Sequence, residues 1–172
     1  MNRLILSIYS IILFAGYGCI ETEPVSPIPE ITFTSIELVT IVDSSLGNPN
    51  LKGAVLEFDF IDGDADFGVY EGIAADTSLP DSIRYNLFLS PYYKMNGAYY
   101  FIESDTNNPP PYYSIFYNQK LDRVGQNRTV KGTITVTIID IPLYDTIKYD
   151  FFIRDRAGHN SNTESTTDLG TI

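Results

Sequence analysis

The segment Ala54-Val55-Leu56-Glu57-Phe58-Asp59-Phe60 alternates with period two and then runs straight into an acidic loop, Asp62-Gly63-Asp64-Ala65-Asp66-Phe67-Gly68. Ala54, Leu56, Phe58 and Phe60 fall on one face, and Val55, Glu57 and Asp59 on the other. That is the pattern of a half-buried strand and is incompatible with a helix, whose apolar positions recur every three or four residues. Between Gly53 and Ile83 there are eight acids and no Lys or Arg. Carboxylates crowded this closely repel one another, and a chain accommodates them either in a well-solvated turn or around a cation.

The loop is not an EF-hand. Asp62, Asp64 and Asp66 supply the alternating acids, but Phe67 stands where that loop needs Gly and Ile73 where it needs a bidentate Glu, and the flanking segment is a strand. Two readings remain. In one, the carboxylates hold a hard cation, with Ca2+ the expected ion. In the other, this is a solvated acidic turn in which Gly63 and Gly68 take positive φ.

The rest of the chain repeats the strand signal. Ile31–Val42 is rich in β-branched residues. Ile83, Tyr85, Leu87 and Leu89 alternate with Arg84, Asn86, Phe88 and Ser90. Gly97–Glu103 and Tyr112–Tyr117 are shorter candidates, separated by a stretch ending in Pro109-Pro110-Pro111 that no interior strand can contain. Ile134, Val136 and Ile138 alternate with threonines, Ile147, Tyr149, Phe151 and Ile153 repeat the pattern, and Thr163–Ile172 supplies a last strand. No helical stretch of ten residues and no internal repeat is visible. About seven to eight strands separated by turn signals predict an all-β fold, an antiparallel sandwich.

The segment Tyr149-Asp150-Phe151-Phe152-Ile153-Arg154-Asp155-Arg156-Ala157-Gly158-His159-Asn160-Ser161 resembles the end of bacterial immunoglobulin-like and fibronectin type III-like modules, with His159 as an additional residue before Asn160. The resemblance implies an immunoglobulin-like β-sandwich over 31–172. In such a sandwich the loop after the second strand and the loop between the last two strands lie at one end. Asp155 and Asn160 are therefore expected to complete a Ca2+ shell begun by Asp62, Asp64 and Asp66.

Residues 1–18 carry one charge, Arg3, before an apolar run from Leu4 to Ala15 and the sequence Gly16-Tyr17-Gly18-Cys19. The run is short for a spanning helix and reads as a signal peptide. It resembles a bacterial lipoprotein signal, with Gly16 where that family usually has Leu; the resemblance implies that Cys19 becomes a lipid-modified mature N-terminus. Cys19 is the only cysteine, so no internal disulfide is possible. Residues 19–30, with Glu21, Glu23, Pro24, Pro27 and Pro29, read as a flexible tether. The acids after Cys19 and the acidic loop resemble Gram-negative surface lipoproteins, which implies a lipid anchor at the outer membrane or cell surface.

The formal net charge of −11 repels nucleic acid and anionic membranes, so the lipid is the expected membrane contact and nucleic acid is no expected partner. With one His and one Cys, the chain lacks the residues for a hydrolytic triad or a zinc site, and no phosphate-binding glycine loop occurs. No enzymatic activity is expected. Tyr92-Tyr93, Tyr99-Tyr100 and Tyr112-Tyr113 each place one ring on each face of a strand. Tyr93, Tyr100 and Tyr113 form a possible ligand surface, although tyrosine also decorates half-buried sheets for propensity alone. The expected function is a Ca2+-stiffened module for adhesion or envelope assembly, with an envelope protein or glycan as partner. The alternative is a carbohydrate-binding accessory module using the tyrosines.

Overall fold

A computed structural model describes residues 25–41, 51–104, 111–116, 128–139, 141–142 and 144–170. Cys19, the expected signal peptide and the first part of the expected tether lie outside them. Among the described residues nine strands and two one-turn helices follow in the order β1 (Glu30–Ile41), β2 (Leu51–Asp62), α1 (Glu71–Ala75), α2 (Asp81–Arg84), β3 (Leu87–Met95), β4 (Ala98–Phe101), β5 (Tyr112–Tyr113), β6 (Val130–Ile139), β7 (Thr146–Ile153), β8 (Glu164–Ser165) and β9 (Leu169–Gly170). One sheet has the order β1-β2-β6. The other has the order β4-β3-β7-β8, with β5 also on β3 and β9 also on β7.

The two sheets form an antiparallel sandwich. β8 and β9 both pair with β7, on the side away from β3. The last strand is broken in two, and β5 is a two-residue segment, which is why the segments outnumber the seven to eight expected.

The core follows the period-two pattern. Ala54, Leu56 and Phe58 of β2 and Ile147, Tyr149, Phe151 and Ile153 of β7 are essentially inaccessible. Phe58 and Phe151 meet across the sandwich with ring centroids 5.2 Å apart. Ile134 and Val136 pack on this core from the sheet margin and stay half-buried. Burying such rings removes roughly 25 cal/mol of cost per Å2 of apolar surface, and a tilted aromatic pair adds about 1 kcal/mol.

One expected strand is wrong at its start. Ile83 and Tyr85 do not continue the inward face of Leu87 and Leu89. Residues 81–84 coil into α2 after Pro80, whose fixed φ suits the position before a first turn. Ile83 is 50% exposed, and Tyr85 is half-buried outside the core. The expected strand Gly97–Glu103 shortens to β4 because Asn96 and Gly97 form the β3–β4 turn: they take φ of 53° and 82° between the paired Met95 and Ala98, as a two-residue hairpin turn requires.

Candidate functional site: an acidic loop closed by the last hairpin

The acidic loop begins where β2 ends. Phe67 turns back onto the core and packs on Phe60, centroids 5.1 Å apart, so the loop is tied at both ends. Asp62 is fully buried, and its Oδ2 accepts the backbone N–H of Phe67 at 3.1 Å. Ala65 sits at φ 59°, a left-handed conformation that costs a non-glycine residue about 1 kcal/mol or more. That bend gathers the carboxylates. One oxygen from each of Asp62, Asp64 and Asp66 lies within 4.8 Å of the others.

Glycine is used differently from the expectation. Gly68 does take positive φ, at 103°. Gly63 does not. It is required because the N-terminal arm passes over it: a Cβ there would run into the backbone carbonyls of Val25 and Ser26, and the Gly63 N–H donates to Ser26 O at 3.0 Å. Val25 and Ser26 of the expected tether thus lie against Gly63 of the acidic loop, and Pro29 is fully buried. Asn162 fixes the strand that follows by accepting from Ile31 N and donating to Ile31 O, both at 2.8 Å.

The loop between β7 and β8 comes to the same end of the sandwich. Asp66 O accepts Arg156 N at 3.2 Å, Asp66 Oδ2 accepts Ala157 N at 3.0 Å, and Arg156 Nη1 donates to Phe67 O at 3.1 Å. Asp155 is buried beside this cluster, but both its oxygens are engaged. Oδ1 accepts His159 N at 2.7 Å, and His159 Nδ1 lies 2.8 Å from Oδ2. Asp155 therefore supplies charge rather than an open oxygen. Asn160 is directed elsewhere: it is exposed, and its Oδ1 accepts Arg154 Nε at 2.7 Å.

Three carboxylate oxygens, Asp62 Oδ1, Asp64 Oδ1 and Asp66 Oδ1, are buried without a hydrogen-bond partner among the described residues. Leaving such atoms unsatisfied costs about 1–3 kcal/mol each, more when they are charged. The electrostatics agree. Burial, then the charges of Asp64 and Asp66, push the Asp62 carboxyl up to about 7. Burial, then the Asp155 and Asp64 charges, raise that of Asp66. The hydrogen bond to Asp155, then its charge, holds His159 above the usual imidazole value.

The tyrosines are placed otherwise than expected. Tyr93 lies on the same face of β3 as Leu87 and Leu89 and packs against the core, as does Tyr113. Tyr93 is stacked between Tyr100 at 5.4 Å and Tyr144 at 4.5 Å, and the Tyr113 hydroxyl accepts Ile139 N at 3.3 Å. Of the three, Tyr100 alone is mostly open, at 44% exposure. The rings satisfy one another, as a propensity-driven sheet surface does. Sequence reasoning missed the arm over Gly63 and the Asp155–His159 pair. The arm has no periodicity to reveal it, and the pair closes a turn, where i, i+4 spacing has none of the meaning it has on a helix. No family model, curated protein or solved structure matches this chain.

Proposed function

We propose that the protein is a non-catalytic, lipid-anchored surface module whose end loops are stiffened by Ca2+, serving adhesion or envelope assembly. The observation that carries the metal is the set of three unpartnered buried carboxylate oxygens within 4.8 Å of one another. Two oxygens on one Ca2+ stand about 2.3–2.6 Å from it and so no more than about 5 Å apart, which this spacing meets. The all-oxygen donor set suits a hard cation and not a soft one. Asp62, Asp64 and Asp66 would hold the ion, with water and backbone carbonyls completing its shell.

A proton is the competing occupant, because a protonated Asp62 relieves the same repulsion. At a pH above about 7 that proton is released, and the cation has the advantage. Thermal unfolding of the wild type in millimolar Ca2+ and in chelator decides between them: the metal reading requires a higher melting temperature with Ca2+, and equal melting temperatures in Mg2+, Ca2+ and chelator at neutral pH would reduce the loop to an acidic turn. The anchor rests on Cys19 and its lipoprotein-like flank. Cys19→Ala is expected to move the protein from the membrane fraction to the soluble one, and unchanged partition would defeat that part of the proposal.

A further inference from the structure

Beside the acidic loop, α1 and α2 stand off the sandwich and leave a cavity of about 350 Å3, within the range of small-ligand sites. Its rim is apolar: Tyr70, Ile73 and Ile83 line it and are 51%, 37% and 50% exposed. Arg154 and Arg156 also line it; the Arg156 guanidinium lies 5.4 Å from the Tyr70 ring centroid and donates to Phe67 O. Arg84 braces the helices, donating through Nε to Ala74 O at 3.3 Å and through Nη1 to Asp81 Oδ1 at 3.3 Å, with its guanidinium over the Tyr85 ring. The floor is rigid, since buried Asn86 donates to Ile115 O at 3.1 Å and accepts Ile115 N at 2.7 Å.

Arg154 is the telling residue. The chain carries 22 acids against 11 Lys and Arg, yet the guanidinium of this half-buried residue has no carboxylate partner among the described residues. It donates to neutral oxygens, Asn160 Oδ1 at 2.7 Å and Ser82 O at 3.5 Å, and lies 5.1 Å from the Phe88 ring centroid. The adjacent Asp155 side chain is inaccessible and engaged by His159. A guanidinium fork held in place with its charge unpaired is the arrangement that receives a planar anion through paired hydrogen bonds. The strongly negative remainder of the protein discourages anions elsewhere, which makes the complementarity local to this cavity.

We propose that this cavity binds a small carboxylate carried on a ring. Arg154 takes the carboxylate, and Tyr70 with Ile73 and Ile83 covers the ring face. Acidic sugars and aromatic carboxylates share that chemistry, and the two are separated by experiment. Titration calorimetry on the full-length protein in chelator uses D-glucuronate and benzoate as probes, with D-glucose and acetate as controls. At least one ring carboxylate is expected to bind about tenfold or more tightly than both controls, and Arg154→Gln to remove that preference. Glucuronate alone would identify a sugar acid, and benzoate alone an aromatic one. Because Arg154 also holds Asn160, Ile83→Asp supplies a second variant: it puts a like charge on an exposed rim position and is expected to repel the ligand without loss of melting temperature. Binding of neither ring carboxylate above the controls, or unchanged binding in either variant, would overturn the proposal. Working in chelator keeps the result independent of the metal.

Discussion

Asp66 and Ala157, 91 residues apart in the chain, are joined by a 3.0 Å hydrogen bond from the Ala157 N–H to Asp66 Oδ2. Together with the Arg156 contacts to Asp66 O and Phe67 O, it ties the loop after β2 to the loop between β7 and β8. It also sets the electrostatic problem of this end of the sandwich, because it brings the Asp66 and Asp155 charges together.

In chelator, the Asp64→Asn, Asp66→Asn double variant is expected to be more stable than the wild type at neutral pH, by about 1–2 kcal/mol, because it removes like-charge repulsion from a buried cluster. In Ca2+ the order reverses. The wild type gains about 2.7 kcal/mol at a hundredfold excess of ion over Kd, and the variant gains little. Urea denaturation of both proteins in both conditions measures the four values; a wild type more stable than the variant in chelator would contradict this account.

The ion-free protein is expected to lose stability as pH rises from about 4 to about 7. Asp62 in the folded state holds its proton up to about 7, against a model-peptide value of 3.8, so the folded state binds more protons than the unfolded chain across that window. Stability then falls with pH, at most by about 1.4 kcal/mol per pH unit for one group, and levels off above it. Asp66, also raised, acts in the same direction. His159, raised above 6.5, adds a loss of the same sign just above that value. Denaturation midpoints in chelator across the window test this, and a midpoint rising with pH would refute it.

Phe151→Ala should cost about 3–5 kcal/mol, since the ring is wholly buried and packs on Phe58 and Phe33 from the opposite sheet. A cost below about 1 kcal/mol would mean that the two sheets do not meet at this residue. Equilibrium unfolding in urea, with an unchanged denaturant slope, is the measurement.

Gly63→Ala is expected to destabilise by about 1–3 kcal/mol, because the added methyl displaces the backbone of Val25 and Ser26. It should also speed proteolysis of the arm before β1. Gly72→Ala is the control: it lies in α1 with nothing near its would-be Cβ, and there alanine should be neutral or stabilising by up to about 1 kcal/mol. Equal effects at the two glycines would remove the argument that the arm docks on the acidic loop.

What the sequence determined by itself was the set of strands and their inward faces. Ala54, Leu56 and Phe58, and Tyr149, Phe151 and Ile153, are buried as their alternation requires, because a strand's side-chain period is fixed by backbone geometry and needs no partner to be read. The acidic loop was legible for the same local reason. Tertiary structure decided what local pattern cannot encode. Tyr93 and Tyr113 turned inward because pairing set the register of β3 and β5 against their neighbours. Ile83 and Tyr85 left the strand pattern because residues 81–84 coil into α2 after Pro80. Gly63 became a contact point for Ser26, and Asp155 gave its oxygens to His159, only once distant segments met. The three carboxylate oxygens that lack a partner among the described residues, and the Arg154 guanidinium that meets only neutral oxygens and a ring there, likewise exist only in the fold, since a missing partner is a property of everything that surrounds an atom and not of its own stretch of chain.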